Sequence, residues 1–185
     1  MDLSKLERIG KGTFTTCYRL NKKEVILETT DHVKECMSFG WGFDSSVFPT
    51  IEYVDEGVYC PKFDTNNKLY KSKYYPKVRS LKTALRPQQY ELYKELRRLS
   101  IDIPQRDCEF ADEWRKAFKT VSNKRMREAL LEAVDGLGNY GCDVRFEISP
   151  RNVAVYRGRL VLLDCFFLKS QLEVALKAKS RGYVY

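Results

Sequence analysis

RFEISPRNVAVYRGRLVLLDCFF, running from Arg145 to Phe167, is the stretch on which the reading of this chain turns. It reads as a tight hairpin: NVAVY, the turn Arg157-Gly158, then RLVLLDCFFL. Alternation is weak in the second strand, which predicts burial on both faces. Asp164 follows LVLL, so its carboxylate is expected at the end of a buried strand. Asn152 opens the neighbouring strand, and Glu147 lies five residues earlier in a loop stiffened by Pro150. A carboxylate and an amide oxygen converging across a hairpin suit a hard cation such as Mg²⁺, which takes few protein oxygens and shares phosphate ligands. A third carboxylate set slightly apart can accept a proton from an attacking hydroxyl. Asp and Asn also cap ordinary strands and turns, so the hairpin alone leaves both readings open.

Upstream, the first third reads as strands. LERIGKGTFTTCYRL gives two extended segments about a glycine turn, and KKEVILETT gives a third with an apolar, β-branched centre. VFPTIEYVDEGVYCPKF is expected to give two more, turning at Asp55-Glu56-Gly57. A short helix is predicted over 32–39 with Asp31 as its N-cap. The middle turns helical. RPQQYELYKELRRL carries Pro87 at a first-turn position, with Leu92, Leu96 and Leu99 on one stripe. After Ser122 or Asn123 a second helix places Met126, Ala129, Leu130, Ala133, Val134 and Leu137 on one buried face, and Gly136, Gly138 and Gly141 mark its end. A last helix, SQLEVALKAKS, closes the chain. The natural break falls near Phe63, between a β-rich part and an α-rich part.

Gly10-Lys11-Gly12 sits between the first two strands, where glycine lets the backbone bend and bring N–H groups close to an anion. Alone the pair is a weak signal. Together with Glu147, Asn152 and Asp164 it resembles the protein kinases. IGKGTFTTCY resembles their glycine-rich loop at Gly10 and Gly12. RFEISPRN matches the catalytic loop at Pro150 and Asn152, and LLDCF resembles the strand that ends in the metal-binding aspartate, here Asp164. The chain resembles the compact early serine/threonine kinases of certain coliphages, over roughly Leu6 to Phe167.

The resemblance implies an α+β, miniature two-lobed kinase-like fold, with an antiparallel β-rich N-lobe over 1–63 and an α-rich, truncated C-lobe over 64–185. It implies ATP and Mg²⁺ as cofactors, with Gly10, Lys11, Gly12 and Thr13 at the nucleotide and Asn152 and Asp164 at the metal. Glu147 takes the catalytic base position, and protein serine or threonine is the acceptor, in a host cytoplasm. This sequence also departs from the pattern. Thr15 stands at the third glycine, and EVILE offers Leu27 or Glu28 where the phosphate-binding lysine belongs. Glu35 is the candidate helix glutamate, with Lys11, Lys22 or Lys23 as possible substitute charges. Only 21 residues follow Asp164, too few for a peptide-binding platform. The alternative reading is therefore a catalytically inactive pseudokinase that grips a partner.

Composition bounds these readings. With 185 residues and 43% hydrophobic content, a packed core is expected. No apolar run approaches the ~20 residues of a bilayer span, and MDLSKLERIG lacks a signal core, so a cytoplasmic protein is expected. Six cysteines are scattered without a CxxC pair beside a single histidine, His32, which argues against zinc and for reduced thiols. Net charge is +8, and from Lys68 to Arg86 seven basic residues and three tyrosines occur with no acid. That stretch reads as a solvated loop, a surface for an acidic protein, or a nucleic-acid surface.

Overall fold

The computed structural model describes residues 1–102 and 110–180. After a single 3-10 turn, three strands follow: β1 (Glu7–Lys11), β2 (Thr15–Arg19) and β3 (Glu24–Thr29). Helix α1 (His32–Ser38) is capped as its sequence predicts, with the Asp31 carboxylate accepting from the Val33 N–H at 2.9 Å. Strands β4 (Ile51–Cys60) and β5 (Thr65–Lys73) complete one antiparallel sheet of order β1-β2-β3-β5-β4.

Two boundaries differ from expectation. Asp55-Glu56-Gly57 is not a turn: β4 runs through it with Asp55 paired to Leu69 and Glu56 to Lys68, and the register shifts fall at Val54 and at Gly57-Val58. A Cβ at Gly57 would come within 3.0 Å of Asn67, so glycine there serves a close strand approach. The reversal lies at Pro61–Asp64, where Asp64 takes φ 51°. The expected break near Phe63 therefore falls inside a hairpin loop, and the sheet continues to Lys73 because β5 pairs with β3 along its length.

The helical part follows as α2 (Leu81–Ala84), α3 (Pro87–Asp102), α4 (Phe110–Phe118) and α5 (Lys124–Gly136). Helix α3 starts at Pro87, and Leu92, Tyr93 and Leu96 are its buried residues. Helix α5 is capped by Asn123, whose side chain accepts from the Met126 N–H, and it buries the apolar face read from its spacing. A Cβ on Gly136 would lie 2.2 Å from the Trp41 carbonyl oxygen, and one on Gly42 would lie 2.0 Å from that of Glu132. Two glycines thus let the segment after α1 lie directly on α5.

The chain then runs through β6 (Val144–Phe146), β7 (Val153–Tyr156), β8 (Arg159–Leu162), β9 (Phe166–Leu168) and α6 (Lys169–Ser180). Strands β7 and β8 form the expected hairpin, with both turn residues at positive φ (Arg157 52°, Gly158 75°), the geometry of a type I′ turn. Leu160, Val161 and Leu162 are all buried, as the weak alternation predicts. Strand β9 turns away from that hairpin to pair with β6, setting Phe146 against Phe166 at 5.2 Å. Trp114 and Phe118 of α4 close on the same pair, so the core centres on four aromatic rings beneath the hairpin. This architecture, a five-stranded antiparallel sheet with one helix followed by helices and a terminal hairpin, is the α+β arrangement that the sequence implies. Among the described residues no helix is long and apolar enough to cross a membrane. Cys108 lies outside the described residues, and the other five cysteines are free thiols.

Candidate functional site

The hairpin residues converge through their backbones. The Asn152 carbonyl accepts the N–H groups of Leu163 (2.8 Å) and Asp164 (3.2 Å), pinning the end of β8 to the loop before β7. The Asn152 amide donates to the Glu147 carbonyl at 3.4 Å, and the Glu147 N–H donates to Cys165 at 2.8 Å. Glu147, Asn152 and Asp164 thus form one cluster, as read from their spacing, with Glu147 exposed and Asp164 half-buried.

Across from it stands α1, whose charged residues split between two partners. The Lys34 ammonium is 5% exposed and lies 2.8 Å from Asp164 Oδ1 and 2.6 Å from the Leu163 carbonyl. Glu35, the expected helix glutamate, binds Lys68 of β5 in a hydrogen-bonded ion pair. Strand register explains which residues can meet. Thr29 pairs with Lys68 and Leu27 with Tyr70, so these four side chains share one face, and Glu28 lies on the other. There Glu28 accepts from Tyr18 and Asn67. Leu27 packs against the core on the α1 side, so of Leu27 and Glu28 it is leucine that faces α1. The positive charge that meets Glu35 comes from the neighbouring strand, as Lys68. Lys11, Lys22 and Lys23 are exposed and none forms a described ion pair with Glu35.

Asp31 completes the cluster. It is 3% exposed, and its Oδ2 accepts no hydrogen bond among the described residues. Burial, reinforced by the Asp164 charge and opposed by Lys34, pushes its carboxyl up to about 7. Burial by itself would lower the Lys34 ammonium, yet Asp164 and Asp31 together hold it above its ordinary value. Lys34 is therefore a buried cation paired with Asp164 and stabilised by the charges of both carboxylates. Its position as well as that of Lys68 escaped the sequence reading, because each depends on which strand or turn faces α1.

The glycine loop is a closed hairpin. The Gly12 N–H donates to the Thr15 carbonyl at 2.8 Å, so that donor is not free for a phosphate. Lys11, Gly12 and Thr13 are exposed, and Gly10 is half-buried. Thr29 anchors the loop: its hydroxyl donates to the Phe14 carbonyl (3.0 Å) and accepts from the Asp31 N–H (3.0 Å). Thr15, 2.7 Å away, must then donate to Thr29. The tip is held by Lys62, which donates to the Thr13 carbonyl at 3.1 Å, and by Phe63 against Phe14 at 5.9 Å. The loop and the start of α1 are thus one hydrogen-bonded unit.

The expected Mg²⁺ would meet a fixed positive charge at one of its donors. Mg²⁺ binds carboxylate oxygens at roughly 2.1 Å and rejects a neighbouring positive charge. Asp164 Oδ1 is engaged by a clamped ammonium, while the Asn152 amide N–H₂ donates to the Glu147 carbonyl and so points towards that loop. Asn152 and Asp164 stay the expected metal pair, with the Lys34 ammonium at one of the two Asp164 oxygens.

The basic stretch is also partly internal. Lys68 binds Glu35, Lys71 binds Glu52 at 2.8 Å, and Lys73 lies over the Tyr156 ring at 3.1 Å from its centroid. Lys77, Arg79, Lys82 and Arg86 are exposed.

No protein-family model matches this sequence, and no curated protein matches it. Solved structures do. The chain is similar to the streptomycin–ATP ternary complex of APH(2")-IIa, with 14% identity and TM-score 0.36 over 92% of this chain and 70% of that one. It is similar to aminoglycoside phosphotransferase APH(4)-Ia, with 12% identity and TM-score 0.38 over 96% and 78%. A thermostable mutant of APH(4)-Ia, in ternary complex with AMP-PNP and hygromycin B, gives 13% identity and TM-score 0.37 over 96% and 78%.

Proposed function

We propose that this chain is a compact kinase-like phosphotransferase that takes ATP as donor and protein serine or threonine hydroxyls as acceptors. The observation that carries the reading is the Lys68–Glu35 ion pair between the sheet and α1. It restores, from β5, a helix-held cation on the face of the sheet where β3 itself offers only Leu27. A preorganised cation aimed at transferring phosphate is the kind of group phosphoryl transfer depends on most. The glycine loop, tied to the start of α1, covers the phosphates. Glu147, exposed beside Asn152, takes the proton from the acceptor hydroxyl as its oxygen bonds the γ-phosphorus and the bond to ADP breaks. The resemblance to early coliphage kinases supports host proteins in the cytoplasm as the acceptors.

A second reading, a pseudokinase that binds an acidic protein through Lys77, Arg79, Lys82 and Arg86, is favoured by one observation. Asp164 is neutralised by Lys34. Thermal unfolding with ATP separates the readings. Ligand at 100 times its Kd adds about 2.7 kcal/mol, or ~5–10 °C for a chain of this size. No shift at saturating ATP sinks the phosphotransferase. Where a shift is found, transfer of labelled phosphate to a protein acceptor should appear in the parent chain and disappear in Glu147→Gln; transfer that persists overturns the role given to Glu147.

A further inference from the structure

We propose that Lys34 is the resident cation of this site, holding at Asp164 the place a divalent ion would otherwise take. The proposal leans on the phosphoryl-transfer reading only for the identity of the ion displaced.

Three features of the geometry lead here. First, Lys34 is immobilised rather than merely nearby: it is 5% exposed and held by Asp164 Oδ1, by the Leu163 carbonyl and, more distantly, by Met37 Sδ at 4.0 Å. An ammonium has three donors, and all three face protein atoms. Second, the surroundings call for a positive charge. Asp31 is buried with one carboxylate oxygen unpartnered among the described residues, and the Asp164 charge acts on it. The charges of Asp31 and Asp164 both act on Lys34, whose ammonium offsets them from inside the fold. Third, the scaffold locks the arrangement from both ends. Gln171 of α6 donates to the Thr30 carbonyl at 2.9 Å and accepts the His32 N–H at 3.4 Å, bracketing the start of α1. Asn152 pins Leu163 and Asp164 from the other side. Lys34 cannot swing away without breaking these restraints or leaving Asp31 unneutralised.

The consequence is a latent divalent site. With Lys34 present, Asp164 should have no more affinity for a metal than an ordinary surface carboxylate. With Lys34 made neutral, the Asp164 carboxylate loses its resident cation and is open to a metal.

Mn²⁺ alone, followed by the loss of its free-ion electron paramagnetic resonance signal, reads this directly and needs no nucleotide. The parent chain and Asp164→Asn should take up Mn²⁺ within twofold of each other. Lys34→Gln should gain a site at least tenfold tighter, lost again when Asp164→Asn is added. A parent chain that binds Mn²⁺ tenfold more tightly than Asp164→Asn overturns the proposal, as does a folded Lys34→Gln chain that gains nothing. If Lys34→Gln does not fold, the comparison of parent with Asp164→Asn still decides by the same criterion. A chain that ignores ATP yet passes the Mn²⁺ comparison loses the nucleotide reading and keeps Lys34 in this role.

Discussion

Lys34 of α1 and Asp164 at the end of β8 are joined by an ion pair of 2.8 Å whose cationic end is almost wholly buried. The pair fastens the sheet-bound helix to the hairpin, and Asp31 draws on the same cation. Removing one member of a buried pair leaves an uncompensated charge, which typically costs ~3–5 kcal/mol. Asp164 is half-exposed and can recover hydration, so the lower end applies. Lys34→Met is expected to lower stability by about 3 kcal/mol at pH 7, read as a fall in the urea midpoint at unchanged slope. A loss under ~1 kcal/mol would show that the pair is solvated and does not fasten the helix.

Asp31 gives that network a pH dependence of unusual sign. Its folded carboxyl is raised, to about 7, by burial first and by the Asp164 charge second, with Lys34 opposing. A raised carboxyl binds its proton more tightly folded than unfolded. Its contribution is therefore complete below the ordinary value near 4 and is lost as pH rises towards 7. Asp31→Asn keeps an oxygen to cap the Val33 N–H and carries no charge. The substitution should stabilise the chain at pH 8 and change it little at pH 4. Parallel stability–pH curves for parent and variant would refute the assignment.

How far this site was legible depended on whether its contacts are local. The Asp31 cap, the Arg157-Gly158 turn and the buried face of α5 each follow from residues within a turn or two, and all three form as read. Helix α4 was not visible because only Trp114 and Phe118, one turn apart, mark its inward face among charged neighbours. The Asp55-Glu56-Gly57 turn failed because a bulged strand and a turn use the same residue types. Glu147, Asn152 and Asp164 were found because the hairpin brings them together by itself. Lys34 and Lys68 were not, since the first needs the packing of α1 against the segment after β8 and the second the pairing of β5 with β3. Neither is encoded by a spacing.

Lys68 and Glu35 allow the charge on the sheet face to be tested apart from stability. Both side chains are about one-third exposed, so their coupling in a double-mutant cycle of Lys68→Met and Glu35→Gln should be about 1 kcal/mol or less. The effect on ligand binding should be larger. Lys68→Met is expected to abolish the ATP-induced thermal shift, and Glu35→Gln to weaken it by releasing the ammonium. An undiminished shift in Lys68→Met would remove that lysine from the phosphate site.

The same substitution, glycine to alanine, should separate the glycines the fold requires from those it does not. At Gly136 an added methyl would sit 2.2 Å from the Trp41 carbonyl oxygen, where only backbone can move aside. Gly136→Ala should therefore cost roughly 2–4 kcal/mol by forcing the post-α1 segment off α5. At Gly10 and Gly12 the nearest atoms to such a methyl are 3.7 and 3.6 Å away, ordinary contacts, and neither residue has positive φ. Gly12→Ala should thus leave stability within about 0.5 kcal/mol. Nothing in the folded chain demands glycine there. If phosphates approach the loop from outside, Gly12→Ala will reduce the ATP-induced shift while the unliganded midpoint stays put. A variant that keeps both the midpoint and the full shift would take the loop out of the nucleotide site.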